Sequence, residues 1–175
     1  MTATATRPRT GRRRSGAGAT VLIALGLLAG AESQAAVDCT VSAAGVAFGT
    51  YDVSATTPTD SAGDATVTCV YLSGGATQLA YTVALSPGNG GGYAFRQLRA
   101  GSSVLNYNLF VDLARTRIWG NGSAGTFVAS GSFTLGPGVG NGTRVGLHTL
   151  YGRIPARQPV APGSYSDVIV LTLTF

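Results

Sequence analysis

The chain is poor in the side chains that enzymes and metal sites use. Its 175 residues include no lysine, one histidine, two cysteines and a single glutamate, Glu32. Two cysteines and one distant histidine do not complete the four-ligand shell of a zinc site without carboxylates. The aspartates stand singly, so neither a glycosidase-like carboxylate pair nor a calcium-binding loop is evident. We therefore predict no metal and no cofactor.

The sequence also offers little for acid–base or nucleophilic catalysis. The single histidine, His148, lies on the face of its segment opposite Val145, Leu147 and Tyr151. Such a histidine is expected to be hydrogen-bonded or solvent-facing rather than a general base. The serines lie in Gly/Ser connections without the spacing of a nucleophile elbow. We predict no catalytic residue and no enzymatic activity.

Helical patterning is missing as well. No window of about a dozen residues has a 3.6-residue apolar period, so no glycine-rich phosphate loop opens a helix. Apolar residues instead alternate with period two, which is typical of half-buried strands. The sets that share one face are Ala65, Val67, Cys69 and Tyr71; Leu79, Tyr81, Val83 and Leu85; Leu105, Tyr107, Leu109 and Val111; and Phe127, Ala129, Phe133 and Leu135. An antiparallel β-sandwich is the predicted architecture.

Glycine-rich segments separate these strands. They lie at residues 74–75, 87–92, 120–122, 136–142 and 162–163. Glycine and asparagine supply the positive φ angles that tight connections need. We interpret the segments as hairpin tips, because no internal repeat or low-complexity domain is present.

The first 35 residues have the layout of a secretory leader. Five arginines within the first 14 positions precede the apolar run 21–28 and a stretch of small residues. The run is far shorter than the roughly 20 residues that cross a bilayer, and no later segment approaches that length. Cleavage is expected after Ala31 or Ala35. The predicted domains are therefore a signal peptide, 1–35, and one exported domain without a membrane span, 36–175.

Removal of the leader changes the charge of the protein. From Ala36 onward, seven arginines stand against six aspartates, which leaves a net charge of about +1. The basic pI of the whole chain belongs mainly to the leader. A nucleic-acid partner is thus not expected, since that function needs a basic footprint.

Both cysteines lie in the exported domain. Cys69 shares its phase with apolar residues, so its sulfur is expected to face the core. Export permits a disulfide, and we predict the bond Cys39–Cys69. It would tie the first strand of the domain to the strand around Cys69.

The alternation at the C-terminus indicates a core strand. Tyr165, Ile169, Leu171, Leu173 and Phe175 share one face. A core strand at this position suggests a sheet that is completed, or first escorted, by another polypeptide. Assembly is therefore the leading functional hypothesis.

Four motifs in register resemble one protein family. They are Phe48-Gly-Thr-Tyr51, Leu105-Asn-Tyr-Asn-Leu-Phe-Val-Asp112, Ile118-Trp-Gly120, and Tyr151-Gly-Arg-Ile-Pro-Ala-Arg-Gln158 followed by Pro162-Gly-Ser-Tyr-Ser-Asp167. With both cysteines placed alike, the exported domain resembles the spore coat protein U domain. That family includes subunits of archaic, Csu-type chaperone–usher pili.

The resemblance implies an immunoglobulin-like sandwich that lacks its last strand. It implies a periplasmic chaperone, an outer-membrane usher and other pilus or coat subunits as partners, and a surface location reached through the periplasm. Carried over by position, the strand that pairs with a chaperone or donor comprises Val168, Ile169, Val170, Leu171, Leu173 and Phe175. Tyr151, Arg153, Gln158 and Trp119 would serve the fold.

Two points stay open at this level. Only residues 36–38, or 32–38 with earlier cleavage, precede Cys39, which is short for a donor strand; the protein could accept a strand without donating one, or form a coat by another contact. The alternative is an adhesin-like or carbohydrate-binding sandwich. It would use the Gly-rich loops and Tyr93, Phe95, Tyr107 or Trp119.

Overall fold

A computed structural model describes residues 2–6, 34–139 and 142–175 of the chain, the first five of these as backbone only. The apolar run of the predicted leader and the cleavage position at Ala31 lie outside these residues.

Strands are the main regular structure of the described residues, which also include one short 3-10 helix. The elements are β1 (Thr2–Thr6), β2 (Ala36–Ala44), β3 (Thr59–Ser73), β4 (Thr77–Leu85), η1 (Gly88–Gly90), β5 (Arg96–Ala100), β6 (Ser103–Phe110), β7 (Ala129–Leu135), β8 (Thr143–Ile154) and β9 (Val170–Thr174). The predicted dominance of period-two segments over helices is confirmed.

The strands form two sheets. One has four strands in the order β1-β9-β4-β7, and the other has five in the order β2-β3-β8-β6-β5. All pairs are antiparallel except β1 with β9. This is the predicted all-β, immunoglobulin-like sandwich, and its one disulfide is also present.

The core lies between the inner faces of the two sheets, where the alternating residues meet. Ala65, Val67 and Cys69 of β3 are fully buried, as are Val83 and Leu85 of β4 and Leu109 of β6. Burying aliphatic side chains of this size stabilises the fold by about 1.5–3 kcal/mol each. Phe127 departs from the predicted set, because it precedes β7 and is 37% exposed.

The predicted disulfide joins the first two strands of the domain. Cys39 and Cys69 stand directly opposite each other in the antiparallel pair β2–β3, with 4.1 Å between their Cα atoms. Both residues are buried among core side chains. The bond thus fixes β2, an edge strand, to its neighbour β3 from within the core.

None of the five glycine-rich segments is a hairpin tip, and that prediction was wrong. Four of them lie between consecutive strands of different sheets, after β3, β4, β6 and β7, and residues 162–163 lie in the crossing from β8 to β9. A tight hairpin is formed by β5 and β6, whose turn contains Gly101 at a φ of 58°. Glycine permits a sharp reversal in either case, so the residue type does not reveal which sheet the next strand joins.

The place beside β9 is occupied by the chain itself. β9 pairs with β4 on one side and with the parallel strand β1 on the other. β1 lies inside the predicted leader, so the expectation that another polypeptide completes this sheet depends on the leader's removal. For the mature domain it stays a prediction.

Within the described residues, no helix is long and apolar enough to cross a membrane.

Loss of the disulfide should destabilise the domain without changing its fold. In the chain-entropy account, cross-linking residues separated by 30 positions contributes about 3.5 kcal/mol. We expect the double variant Cys39→Ala/Cys69→Ala to lose roughly that much free energy of unfolding in urea titrations. The free energies of unfolding of the oxidised and the reduced wild type should differ by the same amount. Equal unfolding midpoints for wild type and the double variant would contradict this prediction.

Candidate functional site

A cleft opens between the two sheets at the end of the sandwich where β2 finishes and β9 begins. Its volume is about 1200 Å³. One wall is formed by residues 45–53, which follow β2, and the other by residues 160–167 and Ile169, which precede β9. The floor consists of apolar side chains from β5, β6 and the end of β8, namely Leu98, Leu105, Leu109 and Ile154, together with Tyr107. The cleft therefore reaches the hydrophobic core.

The first wall is held by close packing onto β8. Phe48 and Val46 lie against Gly152, where a Cβ atom would come within 2.8 Å of both side chains. The Phe48 ring also meets the Tyr107 ring edge to face, with 5.8 Å between centroids. Glycine at position 152 thus lets the wall approach the sheet, and a larger residue would displace it.

Tyr51 fastens the end of this wall to the segment that follows β8. Its hydroxyl donates to the Pro155 carbonyl at 2.9 Å and accepts from the Gln158 amide at 2.8 Å. The Gln158 side chain in turn bonds both the amide and the carbonyl of Asn106 in β6, at 2.9 and 2.8 Å. The motif residues Tyr51 and Gln158 therefore hold the cleft together, in the fold role expected for Gln158.

Arg153, a second motif residue that was expected to serve the fold, lies on the outer side of the sandwich. Its guanidinium makes two hydrogen bonds to the Asp60 carboxylate, at 2.7 and 2.8 Å. This contact holds the pKa of Asp60 below its usual range. Tyr151 lies beneath the guanidinium of Arg115. The first contact joins β3 to β8, and the second joins β8 to the segment that follows β6; none of these side chains lines the cleft.

The second wall is fixed by Ser166 and Asp167. Ser166 exchanges two backbone hydrogen bonds with Arg99 of β5. The Asp167 carboxylate accepts from the Tyr107 hydroxyl, the Asn89 amide and the Val168 amide, each at 2.8 Å. Burial and the bond to Asp167 raise the pKa of Tyr107, so this tyrosine stays neutral. Both walls are therefore anchored independently of β9's own pairing.

The six residues predicted to meet a chaperone or donor strand divide between two faces. Ile169, Leu171 and Leu173 are buried in the core, and Phe175 packs against it half-buried. Val168 points outward and is 53% exposed, while Val170 is half-buried. The predicted alternation is confirmed. The predicted interface role of these residues stays a prediction.

The cleft and the edge of β9 lie on one line. β1 runs beside Val170–Thr174 and also contacts β2, so it lies at the seam between the two sheets. Thr2, the first residue of β1, stands opposite Val170, and the cleft begins beside the preceding residue of the other strand, Ile169. The edge of β9 and the cleft are therefore adjacent.

Arg96 is a buried cation that the sequence did not reveal. It is fully buried, and burial lowers its pKa. Its guanidinium donates to the carbonyls of Ser86 and Trp119 and to Asn108 Oδ1, at distances of 2.7 to 3.2 Å. It thereby ties β5, which bears the cleft floor, to two loops. One arginine in an alternating strand gives no signal that separates this role from surface exposure.

The candidates for catalysis or ligand binding mostly have structural partners. His148 faces inward, where its Nε2 lies 3.0 Å from the Tyr81 hydroxyl, while Val145 and Leu147 on the other face are exposed. Burial lowers the pKa of His148. Trp119 is fully buried and its indole N–H donates to the Val83 carbonyl at 2.8 Å.

The remaining aromatic candidates form no exposed platform. Tyr107 is 4% exposed and Tyr93 donates to the Leu85 carbonyl at 3.0 Å, so only Phe95, at 62% exposed, projects freely. Across residues 34–139 and 142–175, no three His, Cys, Asp or Glu side chains are grouped as a metal site would require.

Comparison with known proteins gives three findings. The family profile described as Spore Coat Protein U domain matches residues 27–172. Protein U of Myxococcus xanthus is 32% identical over 135 residues, which are 73% of this chain and 70% of that protein.

The third finding concerns a solved structure, the CsuC–CsuE chaperone–tip adhesion subunit pre-assembly complex from the archaic Csu pili of Acinetobacter baumannii. It matches with 19% identity and a TM-score of 0.49, covering 80% of this chain and 40% of that chain. We infer nothing from a likeness this remote.

Arg96 should be essential for a stable cleft floor. Arg96→Met leaves the carbonyls of Ser86 and Trp119 without their donor, and unsatisfied buried groups cost about 1–3 kcal/mol each. We expect a loss of at least about 2 kcal/mol in free energy of unfolding, and a similar loss for Arg96→Lys, because an ammonium does not reproduce the guanidinium fork. Arg99→Lys, on the same strand, is the control. An unchanged unfolding midpoint in Arg96→Lys would contradict the assignment.

His148 should make the domain less stable in mild acid. Its folded pKa is depressed, so the unfolded chain binds the proton more readily. Stability is therefore complete above the unfolded value of about 6.5 and declines as pH falls below it. We expect the unfolding midpoint of the wild type to drop between about pH 7.5 and 5.5 more than that of His148→Gln. Parallel pH profiles for the two proteins would count against this.

Proposed function

The chain belongs to the Spore Coat Protein U domain family, and on that basis we propose that it is a structural subunit of a bacterial surface assembly, a coat or a pilus. We further propose that its sandwich is completed by a strand from another polypeptide. The observation that supports this most is the continuous line formed by the edge of β9 and the cleft of about 1200 Å³ beside it.

Removal of the leader during export would expose the edge of β9 and the cleft beside it. The predicted leader, 1–35, includes β1, so cleavage removes the neighbour of Val170–Thr174 on the side away from β4. A row of backbone N–H and C=O groups then lacks partners beside an apolar cleft. Such an edge in an exported protein favours either aggregation or the capture of an extended strand.

A captured strand would satisfy both needs at once. Each new backbone hydrogen bond contributes about 0.5–1.5 kcal/mol net, and each buried aliphatic side chain about 1.5–3 kcal/mol. Three or four such side chains over the cleft floor can outweigh the entropy lost on association, which is on the order of 4–15 kcal/mol. A strand with alternating aliphatic residues is thus the occupant that the site fits.

The partners follow from this role. We propose a periplasmic chaperone that occupies the line first, an outer-membrane usher, and neighbouring subunits that replace the chaperone at the cell surface. Val168, Ile169, Val170, Leu171, Leu173 and Phe175 would form the subunit's side of these contacts. Their place along β9, beside the cleft at Ile169, supports this proposal.

The subunit would accept a strand without donating one. If cleavage follows Ala35, the new N-terminus is Ala36, and residues 36–38 already belong to β2, paired with β3. Cys39, the next residue, is held by the disulfide. No segment ahead of the core would then be free to reach a neighbour, which suits a terminal position or a coat contact of another kind.

A carbohydrate-binding function gains no support from the aromatic residues. Trp119 and Tyr107 are buried, and the exposed Phe95 does not by itself make a stacking platform. The structural role is therefore the one that we propose.

Site-specific photo-crosslinking in the native bacterium tests this function. A benzoylphenylalanine at position 168, beside the cleft, should crosslink to another polypeptide, and mass spectrometry should locate the adduct in an extended segment of alternating aliphatic residues. The matched control is position 147. Val168 and Leu147 are exposed aliphatic residues, 53% and 64%, but Leu147 lies on the outer face of the other sheet.

The two positions make the outcome decisive. A high crosslinking yield at position 168 with a low yield at position 147 supports strand capture. Equal labelling at both positions, or no adduct at position 168 in a correctly exported protein, would argue against it.

A further inference from the structure

The strand β7 lies at the edge of the four-stranded sheet, far from the edge of β9. It is the last strand in the order β1-β9-β4-β7, and it pairs with β4 over Ala129–Leu135. In the described part of the chain, no other strand or isolated bridge pairs with β7. One side of its backbone is therefore open to a strand from another molecule.

The direction of the open backbone groups follows from the hydrogen bonds of β4. The amide of Ser86, directly after β4, donates to the Val170 carbonyl at 2.9 Å on the β9 side. Because alternate residues of a strand bond opposite neighbours, Tyr81 belongs to the phase that bonds β7, where it faces Gly131. The residues of β7 that direct their N–H and C=O groups away from β4 are therefore Ser130, Ser132 and Thr134.

This edge has none of the features that usually protect an edge strand. Charged side chains, proline and bulges prevent strands of different molecules from joining edge to edge. β7 contains no charged residue and no proline, and its register with β4 is continuous. The absence of charge extends over residues 118–143 of the sequence. By contrast, the edge strand β5 of the other sheet carries the exposed Arg99, whose backbone already pairs with Ser166.

We propose that β7 pairs with β7 of a second copy of this chain, antiparallel and across a two-fold axis at Ser132. In this register Ser132 faces Ser132 of the second copy, and Ser130 faces Thr134. All three residues direct their backbone groups outward, so each facing pair can exchange hydrogen bonds. The two four-stranded sheets then continue as one sheet through the interface.

The uncharged edge favours a second copy as the occupant. A two-fold interface brings the same surface of both molecules together, so a charge near the axis would meet the same charge. Like charges on facing strands destabilise their pairing. The side chains of Ser130, Ser132 and Thr134 are exposed, small and neutral, and their neighbours on β4 are also neutral, namely Gln78, Ala80 and Thr82. No like-charge repulsion therefore opposes the pairing at this edge.

The strength of the pairing depends on how the molecules meet. Backbone hydrogen bonds contribute modestly, and the small side chains bury little apolar surface to offset the entropy lost on association. Between dilute molecules the pairing is therefore weak. Subunits that other contacts already hold together meet at a much higher effective concentration. In the proposed surface assembly, β7 would thus supply a lateral contact that is separate from strand capture at β9.

Single cysteines test the register. The two native cysteines are joined to each other, so an added cysteine on β7 has a second molecule as its partner for a disulfide. Ser132→Cys places the two new residues in a facing pair with Cα atoms about 5.5 Å apart, a distance that a disulfide bridges. Ser130→Cys is the matched control, because its two copies lie four residues apart along the strands, or about 13 Å.

The exported protein, purified from the native bacterium and concentrated to the millimolar range, is oxidised mildly and separated without reductant. We expect roughly tenfold more disulfide-linked dimer for Ser132→Cys than for Ser130→Cys. Thr82→Cys, on the same outer face but one strand inward, should give as little dimer as Ser130→Cys. A mixture of Ser130→Cys with Thr134→Cys should restore the dimer, and peptide mapping should find position 130 joined to position 134.

A proline at the axis tests the backbone pairing itself. Ser132→Pro removes the outward amide N–H of residue 132 and places a ring in the path of the second strand. Gly131 and Phe133 keep their pairing with β4, and an edge strand accommodates proline where the N–H faces outward. Added to both members of the mixture of Ser130→Cys and Thr134→Cys, Ser132→Pro should lower the dimer yield roughly tenfold, whereas Ser132→Ala should leave it unchanged.

Each outcome decides for or against the pairing. Dimer formation that follows the register and is lost with Ser132→Pro supports it. Equal yields at positions 132, 130 and 82, or no dimer at any of them, would overturn it, and so would a disulfide from position 132 mainly to a different polypeptide. If Ser132→Pro does not fold, the comparison of the cysteine variants still decides. None of these results bears on strand capture at β9, which the crosslink at position 168 tests.

Discussion

The architecture depends on β9, a core strand whose two edges pair with different parts of the chain. β9 supplies Leu171 and Leu173 to the centre of the core, yet within the exported domain it pairs with β4 alone. The opposite edge needs hydrogen-bond partners, and the full chain meets that need with its own Thr2–Thr6. In the proposed function, removal of the predicted leader would pass this need to another polypeptide, and this single constraint would connect the fold to assembly.

The rest of the domain keeps that edge and its cleft in shape. The packing of Phe48 on Gly152 fixes one wall, and the hydrogen bonds of Asp167 fix the other. Arg96 stabilises the floor through hydrogen bonds that join β5 to two loops. These anchors do not involve the edge of β9 that pairs with β1, so the shape of the cleft does not depend on that pairing.

Much of this was predictable from the sequence, for physical reasons that also set the limit. Alternation showed β4, β6 and the centre of β3, because a half-buried strand must turn every second residue to the core. It also showed the inward sulfur of Cys69, and four motifs in register indicated the family. Alternation does not say which sheet a strand joins, so connections between sheets were taken for hairpin tips.

Other features depended on contacts distant in sequence. The buried role of Arg96 arises only when Ser86, Asn108 and Trp119 converge on it. His148, not the more apolar Leu147, faces the core, because Tyr81 across the sheets offers it a hydrogen bond. Nor did the sequence indicate that Thr2–Thr6 would pair with β9, because this pairing joins segments at opposite ends of the sequence.

Amide hydrogen exchange on chain 36–175, purified with its disulfide intact and without a partner, tests the central claim most directly. The account predicts that the amides of Val170–Thr174 that point away from β4 exchange as fast as those of exposed loops, while the amides that bond β4 stay protected. Slow exchange at all of these amides in a monomer would show that the domain closes its own edge, and would contradict the account.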